Sequence, residues 1–204
     1  LNSLGVATAA TTLSLLLTAP AGYAFAKLRF TGRERLLQGL LAALVVPGQV
    51  AMLPLFLLMK ALGLVDSYAG AIIPSLASVF AVLFIRQAAL AIPDEMLDAA
   101  RLDGASEGAI FRRIVAPLLR PMLVTLGLFV FLASWNDFLW PLIILADDRR
   151  YTLPVALAAL SREYAYETEL MMAGAVVATA PVLLLFVALQ GYYVRGILGG
   201  GIKG

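Results

Sequence analysis

The chain has 204 residues, of which 62% are hydrophobic and only 14% charged, with a formal net charge of +2 and a mean hydropathy of +0.93. Soluble domains carry about 25% charged residues, so this balance excludes an ordinary soluble domain and indicates an integral membrane protein. Cysteine and histidine are both absent, which removes disulfides, thiol nucleophiles, Cys/His zinc sites and imidazole acid–base chemistry.

Crossing a hydrocarbon core of about 30 Å takes roughly 20 apolar residues in a helix. Five stretches are long enough, at about 4–26, 36–59, 68–92, 122–146 and 170–194. Barrel strands would be half as long and would alternate in polarity, which these do not, so the spans are expected to be helices. The first residue is Leu1 rather than Met, and it leads straight into the first span. A preceding span is therefore expected, giving six helices in the full protein.

The loop after the first span holds Lys27, Arg29, Arg33 and Arg35. The second, third, fourth and fifth spans contain Pro47 with Gly48, Pro54, Pro74, Pro141 and Pro181, and the first contains Pro20 with Gly22. Each proline removes a helix hydrogen bond and bends the axis, so the expected bundle is kinked. Gly174 and Ala178 add small residues at helix-contact spacing. Arg86, near the end of the third span, is expected to snorkel toward the headgroups.

Residues 94–117 form a charged, helix-forming insert in an otherwise oily chain. Pro93, Asp94 and Glu95 give a helix start, with acids in the first turn. Met96, Leu97 and Ala100 fall on one face, while Asp98 and Arg101 are spaced to pair on the other. Gly104 stops this helix, Ser106 caps the next, and Ile110, Phe111 and Ile114 form its apolar side before Pro117 ends the motif. Alanines at 99 and 100 let another backbone come close. Two readings fit: a docking element, or an amphipathic connector lying on the headgroups.

In the fourth span, Ser134, Trp135, Asn136, Asp137 and Trp140 interrupt the apolar run. An ionisable group at such depth often marks a pathway or a partner contact, which makes Trp135, Asn136, Asp137 and Trp140 translocation-path candidates. The competing reading has Asn136 and Asp137 capping a helix restarted before Pro141, with the tryptophans in an interfacial belt. The loop at 147–169 is the largest feature on its side of the membrane and carries Tyr151, Arg162, Tyr164 and Tyr166.

The basic residues set the orientation. The side bearing the first loop, the insert with Arg86, and the tail holds eleven of them; the other side holds Lys60, Arg149, Arg150 and Arg162. The insert is therefore cytoplasmic and the 147–169 loop external. No G-x-x-x-x-G-K-[ST] phosphate loop is present.

Asp98, Ala99 and Ala100, three residues to Gly104, nine to Ile114, then Pro117, resemble the EAA loop of ABC importer permeases, Glu-Ala-Ala-x3-Gly-x9-Ile-x-Leu-Pro. Two positions depart: Asp98 stands for the usual Glu and Ala116 for the usual Leu. The fuller string AARLDGAS, which adds Ala105 and Ser106, resembles the carbohydrate branch, similar to the maltose and glycerol-phosphate systems. Ser134 to Phe138, Thr152-Leu153-Pro154 and the terminal GGGIKG agree.

The resemblance implies a type I ABC importer permease fold, one transmembrane permease domain over 1–204, with a cytoplasmic coupling helix. It implies half of a translocation path for a sugar or polyol in the bacterial cytoplasmic (inner) membrane. Implied partners are a second homologous permease in a heterodimer, two ATP-binding subunits, a periplasmic solute-binding protein and the lipid bilayer, with no nucleic acid. The chain would not itself be an enzyme and would bind no cofactor, ATP and Mg residing on the partner ATPase. Asp98, Ala99, Ala100, Gly104, Ala105, Ser106, Ile114 and Pro117 would couple to that ATPase. Tyr151, Arg162, Tyr164 and Tyr166 would contact the binding protein. The alternative is an ion- or proton-coupled secondary transporter or channel subunit, which should carry coupling carboxylates deep in its spans; Asp137 is the only acid clearly inside one.

Overall fold

The computed structural model describes residues 1–163 and 168–198, with side chains described for 1–161, 169 and 172–188. Among these residues all regular structure is helical. The elements are α1 (Asn2–Lys27), α2 (Arg33–Ala43), α3 (Met52–Ala61), α4 (Tyr68–Ile72), α5 (Val79–Leu90), α6 (Asp94–Leu102), α7 (Glu107–Ile110), α8 (Ala116–Leu118), α9 (Arg120–Trp135), α10 (Leu139–Ile144), α11 (Leu153–Glu163) and α12 (Thr168–Leu198).

The expected kinks are mostly full breaks. Pro47 lies in the gap between α2 and α3, and a tight 3-10 turn at Gly48–Ala51 restarts the chain. Pro74 sits in a second such turn, Ile73–Ser75, after α4. Ser78 then opens α5 by accepting from the Ala81 N–H at 3.2 Å, which satisfies one of the orphan donors of a helix start. Pro54 and Pro141 fall in the first turns of α3 and α10, where no intrahelical N–H is needed. Pro20 differs: it lies inside α1 without interrupting it, one missing bond being carried by a 26-residue helix.

These breaks change the five-span picture. Among the described residues only Asn2–Lys27 is by itself long and apolar enough to cross a membrane. Up to four crossings result if α2 with Gly48–Ala61, Tyr68–Ser75 with α5, and Glu107–Leu118 with α9 each count as one bent span. The fifth expected span contributes a shorter apolar stretch, Met172–Ala188. The fold is all-α and membrane-associated: large apolar side chains such as Leu16, Leu36, Leu53, Leu57, Val176 and Leu184 are exposed, far more than a water-facing surface carries.

The chain divides into two units. Leu1–Thr12, Gly48–Ser75 and Leu128–Gly191 form the first. Its core gathers Val6, Met59, Ala71, Trp140, Ile144 and Leu145, and a smaller cluster joins Ala7, Phe131 and Trp135. Gly174 lies against Leu157, where any Cβ would collide with the leucine side chain, so the small-residue spacing of α12 does mark a close contact with α11. The second unit comprises Leu13–Pro47, Leu76–Gly127 and the end of α12. Here α1 and α5 meet at Gly22, where a Cβ would lie 2.6 Å from Ile85 Cβ; only glycine admits that approach. Tyr23, Ile85, Leu97, Ile110 and Val115 are buried in this unit.

Candidate functional site

The insert folds as helix, glycine turn, helix. Lys27, at the end of α1, donates to Asp94 Oδ1 at 2.6 Å and to the Ile92 carbonyl at 2.6 Å, which fixes where α6 begins. The Lys27 ammonium holds the Asp94 carboxyl below the usual range. α6 ends in a Schellman motif: the Gly104 N–H donates to the Arg101 carbonyl and the Ala105 N–H to the Ala100 carbonyl, both at 3.0 Å. Gly104 adopts φ +81° and has nothing within 4 Å of a hypothetical Cβ, so backbone conformation, not room, requires glycine there. Ser106 Oγ accepts from the Ala109 N–H at 3.4 Å and opens α7.

Three details depart from the sequence reading. Met96 is exposed rather than packed beside Leu97 and Ala100; a neighbouring helix position is turned by about 100°, so Leu97 alone takes the buried seat. Phe111–Val115 is a π-helical turn. Pro117 does not end the motif but continues as the middle residue of α8. The wider π turn just before it is the expected accommodation for a proline that cannot donate and would crowd the preceding carbonyl. The chain instead breaks at Leu119, where the helix axis turns by 80° into α9.

Of the coupling candidates, Asp98, Ala99, Gly104, Ser106 and Pro117 are exposed, while Ala100, Ala105 and Ile114 are half-buried. Leu102, overlooked in the sequence, is 89% exposed beside them. Asp98 meets Arg101 at 2.6 Å, as the i,i+3 spacing suggests. Arg101 also binds Glu107 Oε1 at 2.7 Å, and the opposite oxygen of Glu107 accepts from the Tyr23 hydroxyl at 2.7 Å. Arg101 holds the Glu107 carboxyl below its usual range, and Glu107 raises the guanidinium in turn. Helix periodicity could not reveal Arg101–Glu107, because the partners meet only after the Schellman turn reverses the chain.

In the other unit, the cluster at 134–140 is organised by backbone carbonyls. Trp135 is 6% exposed and its indole N–H donates to the Ala178 carbonyl at 3.0 Å. Trp140 is 7% exposed and donates to the Gly70 carbonyl at 3.0 Å. Both tryptophans are therefore internal ties. Gly70 must be glycine, since a Cβ would run into the Leu64 carbonyl. Asn136 is exposed and donates back to the Leu132 carbonyl at 2.8 Å, while Asp137 accepts from the Trp140 N–H at 3.4 Å across the break before α10.

The expected external loop contains a helix of its own, α11. Its entry is fixed by Asp66, a non-glycine at φ +55°, whose Oδ1 accepts from the N–H groups of Ala146 (2.9 Å) and Asp147 (3.0 Å). Arg150 reaches Asp66 Oδ2 at 2.9 Å. Those two amide donors, Asp147 first, hold the Asp66 carboxyl low. Asn2 donates to the carbonyls of Arg149 and Tyr151, and Tyr151 is half-buried against the Trp140 cluster. Tyr164, Tyr166 and the side chain of Arg162 lie outside the described residues. Among the described residues no group of three or more acidic side chains is arranged to hold a metal ion, and Arg86 Nε is buried without a hydrogen-bond partner.

The family model described as "Binding-protein-dependent transport system inner membrane component" matches residues 5–199. The arabinooligosaccharides transport system permease protein AraQ of Halalkalibacterium halodurans is 40% identical over 203 residues, spanning 100% of this chain and 73% of that protein. The lactose transport system permease protein LacG of Rhizobium radiobacter is 38% identical, over 97% of this chain and 72% of that protein. A crystal structure of a bacterial ABC transporter involved in the import of the acidic polysaccharide alginate aligns with a TM-score of 0.75 at 23% identity, covering 99% of this chain and 73% of that chain; at that identity the likeness concerns the fold.

Proposed function

This chain belongs to the family of binding-protein-dependent transport system inner membrane components, and we propose that within it residues 94–117 are the segment through which a cytoplasmic ATPase drives the permease. The chain is the transmembrane permease half of an ABC importer of sugars or polyols in the bacterial inner membrane, working with a binding protein and with a separate subunit that hydrolyses ATP. Residues 1–204 act as one permease domain, crossing the bilayer at about 4–26, 36–59, 68–92, 122–146 and 170–194.

The observation that supports docking is the Schellman turn at Gly104, with exposed Ala99 and Leu102 beside it. Small and apolar groups facing water on a rigid two-helix knuckle suit a cleft in a partner. Asp98, Ala99, Ala100, Gly104, Ala105 and Ser106 form that surface; Ile114 and Pro117 seat it on the bundle. Asn136 and Asp137 line the solute path, with Trp135 and Trp140 holding their segment in place. Tyr151, Arg162, Tyr164 and Tyr166 belong to the face that meets the binding protein, and a second homologous permease completes the path. The solute class is an oligosaccharide, arabino-oligosaccharides first, on the strength of the relatives' names.

The test is co-purification. Gly104→Pro, or deletion of 94–106, should abolish retention of the ATPase and ATP-dependent uptake while the chain still inserts. Retention of both activities in these variants would refute the docking reading. Titration of the cognate binding protein with arabinotriose, lactose and trehalose then decides the solute.

A further inference from the structure

Two side-chain ties join the coupling segment to α1, and only one of them reaches past the first turn. Lys27 holds the start of α6 through Asp94 and the Ile92 carbonyl. Tyr23 is a full turn further along α1 and just 3% exposed, yet its hydroxyl ends on Glu107, the first residue of α7. Its ring packs on Phe111, with centroids 5.7 Å apart at a 38° tilt; Phe111 is where the π turn begins. Glu107 is fixed from its other side by Arg101 at 2.7 Å, and Arg101 is fixed by Asp98 at 2.6 Å. The chain of contacts thus runs Asp98, Arg101, Glu107, Tyr23: from the exposed face of α6, across the glycine turn, into a buried side chain of α1. Every link is a charged hydrogen bond of short, directional kind, which holds two groups at one separation better than apolar contact does. Next to Tyr23, Gly22 brings α1 into contact with Ile85 of α5, so any displacement of Tyr23 is passed to a second helix through close packing.

We propose that Tyr23 and Glu107 are positioning residues that gear the cytoplasmic half of α1 to the coupling segment, so that the segment and α1 move as one body when the ATPase moves. The proposal rests on the docking reading above. Without this link the polar ties from α1 to the insert end at Lys27, about one turn away at its edge, and only the ring contact with Phe111 resists a swing of α7 and its π turn. Polar groups that link two packed elements carry coupling when the pair has discrete arrangements that a ligand biases.

Residues 1–204 contain no cysteine, so labels introduced here are unique once any cysteines elsewhere in the transporter are replaced. Spin labels are placed at Leu16→Cys on α1 and Arg113→Cys in the π turn, both exposed, in the complete transporter with its partner permease, ATPase and binding protein. The label separation is measured without nucleotide and after trapping with ATP, Mg and vanadate. With Tyr23 and Glu107 intact the separation should be the same in both states. In Tyr23→Phe, and separately in Glu107→Gln, trapping should shift or broaden it by several ångströms while the ATPase stays bound, and the double variant should be no worse than either single one. A nucleotide-dependent separation in the unaltered chain overturns the proposal, as does an unchanged separation in both variants. Loss of the ATPase in both conservative variants also overturns it, since the tie would then serve assembly. Failure of the docking reading is read elsewhere, from ATPase retention in Gly104→Pro.

Discussion

Residues 94–117 and 134–140 are two polar interruptions in an apolar chain, and they satisfy their polar atoms in opposite ways. In the first, side chains bind side chains: Asp98, Arg101, Glu107 and Tyr23 form a chain of charged contacts, and small residues are left facing outward. In the second, Trp135, Asn136 and Trp140 each donate to a backbone carbonyl. Side-chain networks can be rearranged or extended by a partner; carbonyl ties are fixed by the helices that own them. The contrast fits the proposal that the first segment is gripped by a partner while the second holds its own shape.

The largest expected effect breaks the second arrangement. Trp140→Ala removes a buried ring from the core of Val6, Met59, Ala71 and Ile144 and should cost about 3–5 kcal/mol, read as a lowered denaturation midpoint in detergent. Trp140→Phe keeps most of the ring but leaves the Gly70 carbonyl without its donor, for about 1–3 kcal/mol. If Trp140→Phe is as stable as the unaltered chain, the indole N–H does not organise the cluster. Next comes Gly104→Ala. Nothing stands near the added Cβ, so its cost is the left-handed backbone alone, about 1–2 kcal/mol. It should weaken ATPase retention without abolishing it, where Gly104→Pro abolishes it. Equal loss in both would mean that the site lacks room, contrary to the open space there.

Much of the 94–117 insert is legible in the sequence because its determinants are local. Asp94 and Glu95 in a first turn, Asp98 three residues before Arg101, Gly104 at a helix end and Ser106 at a helix start are all short-range patterns, and each is realised. What the sequence hides are contacts created by chain reversal or by packing. Glu107 reaches Arg101 only around the Schellman turn, and Tyr23 reaches Glu107 across 84 residues. The tryptophan contacts are hidden for a related reason: only the neighbouring helices reveal that Ala178 and Gly70 offer carbonyls. Span counting suffers from the opposite fault. Hydropathy adds residues on both sides of Pro47 or Pro74, while the backbone breaks there.

Acid should loosen the first arrangement before the second. The carboxyls of Asp94 and Glu107 are held below their ordinary values by Lys27 and Arg101. A depressed folded-state value means stability that is fully present above the unfolded value and lost as pH falls through the folded one. Hydrogen exchange at 94–118 should therefore rise as pH drops below the ordinary carboxylate range, after correction for intrinsic rates, while amides at 128–135 hold their protection. Equal loosening of both would show that the carboxylates do not secure the insert.

The smallest expected effect is at Arg33–Glu34, an ion pair between chain neighbours at 3.0 Å on the exposed start of α2. It resembles Arg101–Glu107 in chemistry and distance, but it joins two residues that the backbone already holds together. Such an exposed pair contributes about 0–1 kcal/mol, and Arg33→Ala should leave stability and ATPase retention close to unchanged. Glu107→Gln weakens a less exposed contact, so its stability cost should be somewhat larger than that of Arg33→Ala but still small, while its effect on nucleotide-driven motion should be large. The two variants together separate the strength of an ion pair from its position. If Arg33→Ala disturbs coupling as much as Glu107→Gln does, the insert responds to cytoplasmic charge in general, and the specific line from Asp98 to Tyr23 carries nothing of its own.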